Sequence, residues 1–296
     1  MTTSSIPRII LEQLAAIELG TGFTGRPPCI TSSTSGKSYF VKLGTSSEVE
    51  QFAGEAASLD ALHAGAPGLV PRLLAHGVDS GSGRPYFISE YKDIAYLNNN
   101  AGAKLGTRLA ELHSQGRSPG GRFGFQVPTF CGATRMRNGW YDSWEKCFDV
   151  MIGDLLDKLG RVRRSAKDTY ICSVIPKLLG PLKIEPVILH GDLWSGNAGV
   201  DKATGEPIIF DPSSYYGHNE ADLSIARIFG GFPSSFYQKY HDRMPKTEPI
   251  AQYDLRGDLY ELFHYLNHTV IFGGSYAGSA MRKMDKLLSA LGSDRT

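Results

Sequence analysis

Residues 187–212, VILHGDLWSGNAGVDKATGEPIIFDP, leave the least freedom to any fold that contains them. Two short apolar runs, Val187-Ile188-Leu189 and Pro207-Ile208-Ile209-Phe210, read as strands on either side of a polar loop and a turn at Ala203-Thr204-Gly205. The first run delivers His190-Gly191-Asp192 and the second delivers Asp211, with Asn197 five residues after Asp192. Two carboxylates and a carboxamide at neighbouring strand ends make a hard, oxygen-rich site. Mg²⁺ suits such a site because it takes a few oxygen ligands and completes its shell with phosphate oxygens. The alternative is a plain hairpin with Asp192 and Asn197 as turn residues. Against it stands the coincidence of three features: the His-Gly-Asp corner, the spaced Asn and the Asp closing the next apolar run.

A chain of 296 residues has room for two lobes or one large domain, and for a substantial core. Its net charge of +1 offers no field for a nucleic-acid partner. No apolar run reaches the length of a membrane span, and the N-terminus lacks an apolar signal region. Cys29, Cys131, Cys147 and Cys172 lack CxxC spacing, which argues against a zinc motif and a disulfide framework. That usage suits a reducing cytoplasm.

Residues 1–92 read as a first lobe. An amphipathic helix is predicted over Pro7 to Glu18, with Ile9, Ile10, Leu14 and Ile17 on one face. Gly20, Gly22 and Gly25 then lead to Arg26-Pro27-Pro28-Cys29, either a phosphate-approaching connection or a plain surface loop. Ser38 to Lys42 alternates as a strand and ends on Lys42. Glu48 to His63 reads as a helix whose Glu55 can reach back to that lysine, with Glu48 and Glu50 as competing partners. The apolar run Pro85 to Tyr91 ends in Glu90-Tyr91-Lys92, which is either a nucleotide-binding hinge or the last strand of a sheet.

Residues 93–296 read as a larger, mainly helical lobe. Helices are predicted over Asn100 to His113, Trp140 to Leu159, Asn219 to Phe229 and Asp254 to Phe272. His113 and the aromatic stripe of the last helix read as core. Asp222 serves either in a first helical turn or as a brace that accepts hydrogen bonds from the His190 corner.

A lysine on a strand, a glutamate on the next helix, an Asp-x-x-x-x-Asn loop and a later strand-borne Asp are the parts kinases use for phosphoryl transfer. The filling is narrower still. His190-Gly191-Asp192-Leu193-Trp194-Ser195-Gly196-Asn197 resembles the signature of the fructosamine kinase (ketosamine-3-kinase) family, within the aminoglycoside-phosphotransferase-like branch of the protein-kinase fold. Phe40-Val41-Lys42, Gly54-Glu55-Ala56-Ala57-Ser58-Leu59, Phe123-Gly124-Phe125, Asn138-Gly139-Trp140 and Asp211 to His218 resemble further family landmarks. The likeness runs from about Ile17 to Lys286.

The resemblance implies an α+β, two-lobed protein-kinase-like fold: a small antiparallel sheet with a helix, then a mainly helical lobe. It implies ATP and Mg²⁺ as cofactors and a ketosamine acceptor, on a small molecule or a glycated protein, phosphorylated at its C3 hydroxyl. Asp192 is then the base, Asn197 and Asp211 the metal ligands, Lys42 and Glu55 the phosphate-binding pair. Glu90, Tyr91 and Lys92 form the hinge. Trp194, His218 and Glu220 are substrate-contact candidates. Cys29 falls where some family members have a nucleotide-loop cysteine linked to disulfide dimers, which makes the chain a monomer or a redox-dependent homodimer. The segment between Gly20 and Ser38 departs from the glycine-richer family pattern. Rival readings are an aminoglycoside- or choline-type phosphotransferase, or a nucleotide-binding pseudokinase module. The pseudokinase predicts damage to Lys42, Asp192, Asn197 or Asp211, yet all four are present.

Overall fold

The computed structural model describes residues 6–19, 22–160 and 166–292. Gly20 of the expected glycine-rich connection and the side chain of Cys172 lie outside what is described.

The chain opens with α1 (Arg8–Ile17) directly after Pro7, then runs through β1 (Phe23–Arg26), β2 (Cys29–Ser32) and β3 (Ser38–Leu43). Helix α2 (Val49–Gly65) follows, then β4 (Leu73–Val78) and β5 (Pro85–Glu90). The five strands form one antiparallel sheet in the order β1-β2-β3-β5-β4. Alternation along β3 divides its side chains between two faces. Tyr39 and Val41 pack with Ile10 and Leu14 of α1, together with Ile30, Tyr86 and Ile88. Phe40 and Lys42 point to the opposite face, where Ala56, Leu59 and Leu62 of α2 meet Phe87. Burying an aliphatic side chain of this kind contributes about 1.5–3 kcal/mol, so α1 is held by its apolar stripe and not by a side-chain cap. Helix α2 starts one residue later than expected. Glu48 is used in a capping box with Thr45, accepting from the Thr45 N–H at 2.7 Å.

The second part begins with β6 (Ile94–Ala95) and α3 (Asn99–Gln115), whose first turn is capped by Asn98 Oδ1 accepting from Ala101 N at 2.9 Å. The hairpin β7 (Phe130–Cys131) and β8 (Thr134–Arg135) precedes α4 (Trp144–Lys158) and α5 (Ala166–Leu179). Helix α4 begins four residues after the expected Trp140 because Ser143 Oγ caps it, accepting from Lys146 N at 3.2 Å. Four short strands come next: β9 (Val187–Leu189), β10 (Ala198–Asp201), β11 (Pro207–Ile209) and β12 (Tyr215–Gly217). The chain finishes with α6 (Asn219–Phe229), α7 (Ser234–His241), α8 (Tyr253–Phe272) and α9 (Ser275–Gly292). Strand β10 sits between β11 and β6, and β9 pairs with β12. Beneath these strands α3 buries Leu105, Leu109 and Leu112, while Trp144 and Phe148 of α4 pack on Tyr260 and Phe263 of α8. Tyr260, Phe263 and His264 of the α8 stripe are therefore core, as the spacing predicts, whereas Tyr265 and His268 are half-buried. None of the helices among the described residues is long and apolar enough to cross a membrane.

Candidate active site

The corner His190-Gly191-Asp192 leaves β9 where its apolar run ends. Gly191 has φ +83°, and a Cβ there would stand 2.0 Å from the Ser213 carbonyl oxygen, so only glycine fits. Buried Asp222 at the start of α6 accepts from His190 N at 2.7 Å and from Gly191 N at 2.8 Å. Burial alone pushes Asp222 up, yet the His113 hydrogen bond and these donors hold it below its usual value. The bracing alternative for Asp222 thus fits the geometry, and His113 lies in the core, bonded to Tyr240 and Asp222. His190 is buried and pushed toward the neutral form by desolvation. Its Nδ1 accepts from Asp192 N at 3.3 Å, which assigns the proton to Nε2, 3.0 Å from the Phe210 carbonyl oxygen. One imidazole therefore ties the Asp192 loop to the residue before Asp211.

The Trp194-Ser195-Gly196 filling has a steric reason. The Trp194 ring folds back over Gly196, where a Cβ would meet it at 2.2 Å, and its edge meets Phe229 at 5.9 Å between centroids. That turn presents Asn197, whose Nδ2 donates to the Asp192 carbonyl at 2.9 Å and to Asp192 Oδ2 at 3.2 Å. Asp192 Oδ1 lies 4.0 Å from Cys131 Sγ. Burial raises the Asp192 carboxyl to about 7, against the Asn197 hydrogen bond. A carboxylate tuned there can exchange a proton near neutral pH.

Asp211 is the single non-glycine residue among those described with a left-handed backbone, at φ +54°. Such strain persists where the surroundings impose it. Its Oδ1 receives Lys42 Nζ at 2.6 Å, and Lys42 also donates to Glu55 Oε1 at 2.7 Å. Desolvation would drive the ammonium toward neutrality, but Glu55 and Asp211 raise its pKa above the ordinary value. The competing partners are engaged elsewhere: Glu48 in its capping box and Glu50 with Arg135 at 2.6 Å. Helix α2 is fastened to the loop after Asp211 through Ser58, whose Oγ accepts from Ser214 N at 3.1 Å.

Three cavities lie along this cleft and share walls. One of about 210 Å³ is lined by Phe40, Leu59, Phe87 and Phe210 with Glu90, Tyr91 and Lys92 at its edge. The next, about 310 Å³, is bordered by Lys42, Glu55, Asp192, Asn197 and Asp211. The third, about 340 Å³, has Asp192 and Trp194 on one side and Phe229, His268, Phe272 and Tyr276 on the other.

Two expected substrate contacts fall elsewhere. His218 is fully buried between Tyr260 OH at 2.7 Å and Thr247 Oγ1 at 2.8 Å. Glu220 is buried against Arg256, accepting from Nε at 2.7 Å and from Nη2 at 3.0 Å. A carboxylate so close to the motif invites a substrate role, but Arg256 consumes it. Cys29 sits half-buried and free beside the β1–β2 turn. Sequence reasoning missed Cys131, His264 and Asn267, which surround Asp192 from distant elements. Only the aromatic α8 stripe signalled that region, and its period is that of core.

The fructosamine kinase family model matches residues 13–290. The chain is 36% identical to the ketosamine-3-kinase of Mus musculus, across 94% of this chain and 99% of that protein. It is 39% identical to the chloroplastic protein-ribulosamine 3-kinase of Arabidopsis thaliana, across 87% and 78%. Among solved structures, one from Haemophilus somnus assigned to the fructosamine-3-kinases superposes with a TM-score of 0.81 at 22% identity, covering 94% of this chain and 96% of that one. An aminoglycoside phosphotransferase in complex with AMP-PNP and hygromycin B superposes at 0.63 and 15% identity, covering 98% and 100%. The fold is that of the two-lobed, protein-kinase-like phosphotransferases. With the motif residues gathered at one cleft and the match running nearly end to end, the chain belongs to the fructosamine kinase family.

Proposed function

We propose that the chain is an ATP-dependent ketosamine-3-kinase that moves the γ-phosphoryl group of ATP to the C3 hydroxyl of a ketosamine. In this reading residues 1–92 form the nucleotide-binding lobe and 93–296 the catalytic and substrate-binding lobe. The observation that carries it is Lys42, Glu55, Asp192, Asn197 and Asp211 on one cavity wall, in a family whose relatives are named for this reaction.

The residues fit both cofactors. An apolar slot ending in Glu90-Tyr91-Lys92 suits an adenine ring, and Lys42 with its two carboxylate partners suits phosphates. Asn197 and Asp211 are the oxygen donors that would hold Mg²⁺, which when bound neutralises phosphate charge. Lys42, steered by Glu55, stabilises charge on the transferred group. Asp192 takes the C3 hydroxyl proton as that oxygen bonds to phosphorus and ADP leaves. Trp194 supplies a flat wall for the sugar. In the third cavity Asp192 is the only carboxylate among the described lining residues, which suits a ketosamine better than a polycationic aminoglycoside.

Whether the acceptor is borne by a small amine or a protein, the test is Mg²⁺-dependent ADP release with ribulosyl-lysine and fructosyl-lysine, using choline and an aminoglycoside as controls. Turnover with a ketosamine, abolished in Asp192→Ala while ATP binding is kept, is the expected result. Turnover only with a control overturns the acceptor, and normal activity in Asp192→Ala removes the base. The free thiols suit a reducing compartment such as the cytoplasm. Cys29 is the redox candidate: after peroxide, a dimer band in non-reducing electrophoresis that Cys29→Ser lacks is expected, and its absence discards the homodimer.

A further inference from the structure

Behind Asp192, on the side away from Asn197, the fold assembles three side chains from separate elements. Cys131 ends β7, His264 lies in the middle of α8, and Asp192 stands on the loop after β9. Their sulfur, ring nitrogen and carboxylate oxygen all lie within 4.8 Å of one another. Cys131 and His264 are buried, and Asp192 is partly so. Nδ1 of His264 is buried with no hydrogen-bond partner, an uncommon state for an interior imidazole. Asn267, one turn along α8 from His264, donates to the Cys131 carbonyl at 3.1 Å and so fixes the residue that carries the thiol. Cys131, Asp192 and Asn267 all border the cavity of about 340 Å³, so the group is reachable from the cleft.

We infer that Cys131, Asp192 and His264 form a three-ligand site for a thiophilic divalent transition metal, Zn²⁺ being the reference ion, and that its occupation blocks the kinase. Sulfur, imidazole and carboxylate with an open fourth position is a zinc donor set, and a poor one for Mg²⁺. Metal–ligand bonds of about 2.0–2.3 Å place tetrahedral donors roughly 3.3–3.7 Å apart, so the present spacing closes with side-chain shifts of about 1 Å. Charge closes as well. Binding releases to solvent the thiol proton and any proton held by the Asp192 carboxyl, and thiolate plus carboxylate then cancel the 2+ of the ion, leaving no net charge in a buried place. No electron is transferred. The carboxylate's two oxygens face different ways, Oδ2 to Asn197 and Oδ1 to Cys131, so an ion on the Cys131 side captures the group that takes the acceptor's proton. The inhibitory consequence rests on the function proposed above, whereas the site itself does not.

The test uses the full-length, reduced, nucleotide-free protein titrated with Co²⁺. One equivalent is expected to produce thiolate-to-cobalt charge-transfer absorption, bleached by Zn²⁺. Cobalt on the oxygen donors Asn197 and Asp211 gives no such band. Cys131→Ser abolishes it, His264→Ala weakens the affinity by more than about tenfold, and Cys29→Ser and Cys147→Ser retain it. No band in the wild type, or one that survives in Cys131→Ser, overturns the inference. Zinc-edge anomalous diffraction from wild-type crystals soaked with Zn²⁺ needs no variant. A peak among the three side chains supports the site, and a peak only elsewhere removes it. In the kinase assay Zn²⁺ is expected to compete with the ketosamine and not with ATP. A cobalt band in a protein that turns over no ketosamine leaves the site standing and defeats the proposed function instead.

Discussion

At the scale of single residues the chemistry turns on how Asp192 is housed. Burial lifts its carboxyl to about 7, while Asn197 pulls the other way. In the proposed reaction Asp192 accepts the proton in its ionised form, so kcat/KM is expected to rise with pH through about 7 and level off above it. A steady-state pH profile that is flat from 5.5 to 8 would remove Asp192 from that role. The motif spelled His-Gly-Asp in the sequence; the structure shows why each letter is needed. Histidine donates from Nε2 to the Phe210 carbonyl while accepting at Nδ1, and glycine takes a backbone shape that no side chain tolerates next to Ser213. Gly191→Ala is therefore expected to abolish turnover and lower the melting temperature, as calorimetry and the ADP assay would show. Retained activity would mean that the corner can yield.

At the scale of elements, packing decides what spacing leaves open. Helix periods predicted α2, α3, α4, α6 and α8 to within a few residues, and the starts were set by caps. Ser143 begins α4, and the Thr45–Glu48 box precedes α2. Strand β3 was legible because alternation puts Lys42 on the face opposite Tyr39 and Val41. The grip of α6 on the His190-Gly191 corner was legible only as one of two alternatives for Asp222. Its carboxylate serves two buried N–H groups on His190 and Gly191. Asp222→Ala leaves both without a partner, at about 1–3 kcal/mol each, so denaturant melts should show clear destabilisation and kcat should fall. A variant of wild-type stability would show that water replaces the brace. A second buried link joins α6 to α8 through Glu220 and Arg256, both nearly inaccessible. Arg256→Met strands a buried carboxylate and is expected to cost about 3–5 kcal/mol by chemical denaturation, whereas a loss below about 1 kcal/mol would contradict the pairing.

At the scale of the whole molecule, buried histidines weaken the fold in acid. Desolvation lowers His218 to about 4 and also lowers His190. In the unfolded chain both take protons near 6.5, whereas the folded protein refuses them until lower pH. For His218 the unfolded state binds more protons between 6.5 and about 4, so its contribution to stability is full above about 6.5 and is lost as pH falls toward 4, and His190 contributes in the same direction. For His218 the loss approaches about 1.4 kcal/mol per pH unit. Asp192, raised to about 7, binds its proton more tightly when folded and offsets part of this loss, so the check is an NMR titration of the imidazoles: His218 is expected to stay neutral at pH 5, and a midpoint near 6.5 would mean that it titrates freely when folded. The same scale contains the link between the two parts of the chain, where Lys42 on the sheet reaches Asp211 at 2.6 Å across the cleft.

The sequence by itself determined the two-part α+β architecture, the family and the five polar residues of the cleft. Those signals are local: strand and helix periods, a five-residue spacing, a glycine at a tight corner. Tertiary structure decided the rest, because it depends on residues far apart in the chain whose side chains carry no periodic mark. Only in the fold does Glu220 turn from a substrate candidate into the partner of Arg256, thirty-six residues on. His218 likewise becomes a core histidine. Cys131, Asp192 and His264 lack any chelating spacing, and only the fold brings their ligand atoms, from a hairpin, a loop and the middle of a helix, within 4.8 Å of one another.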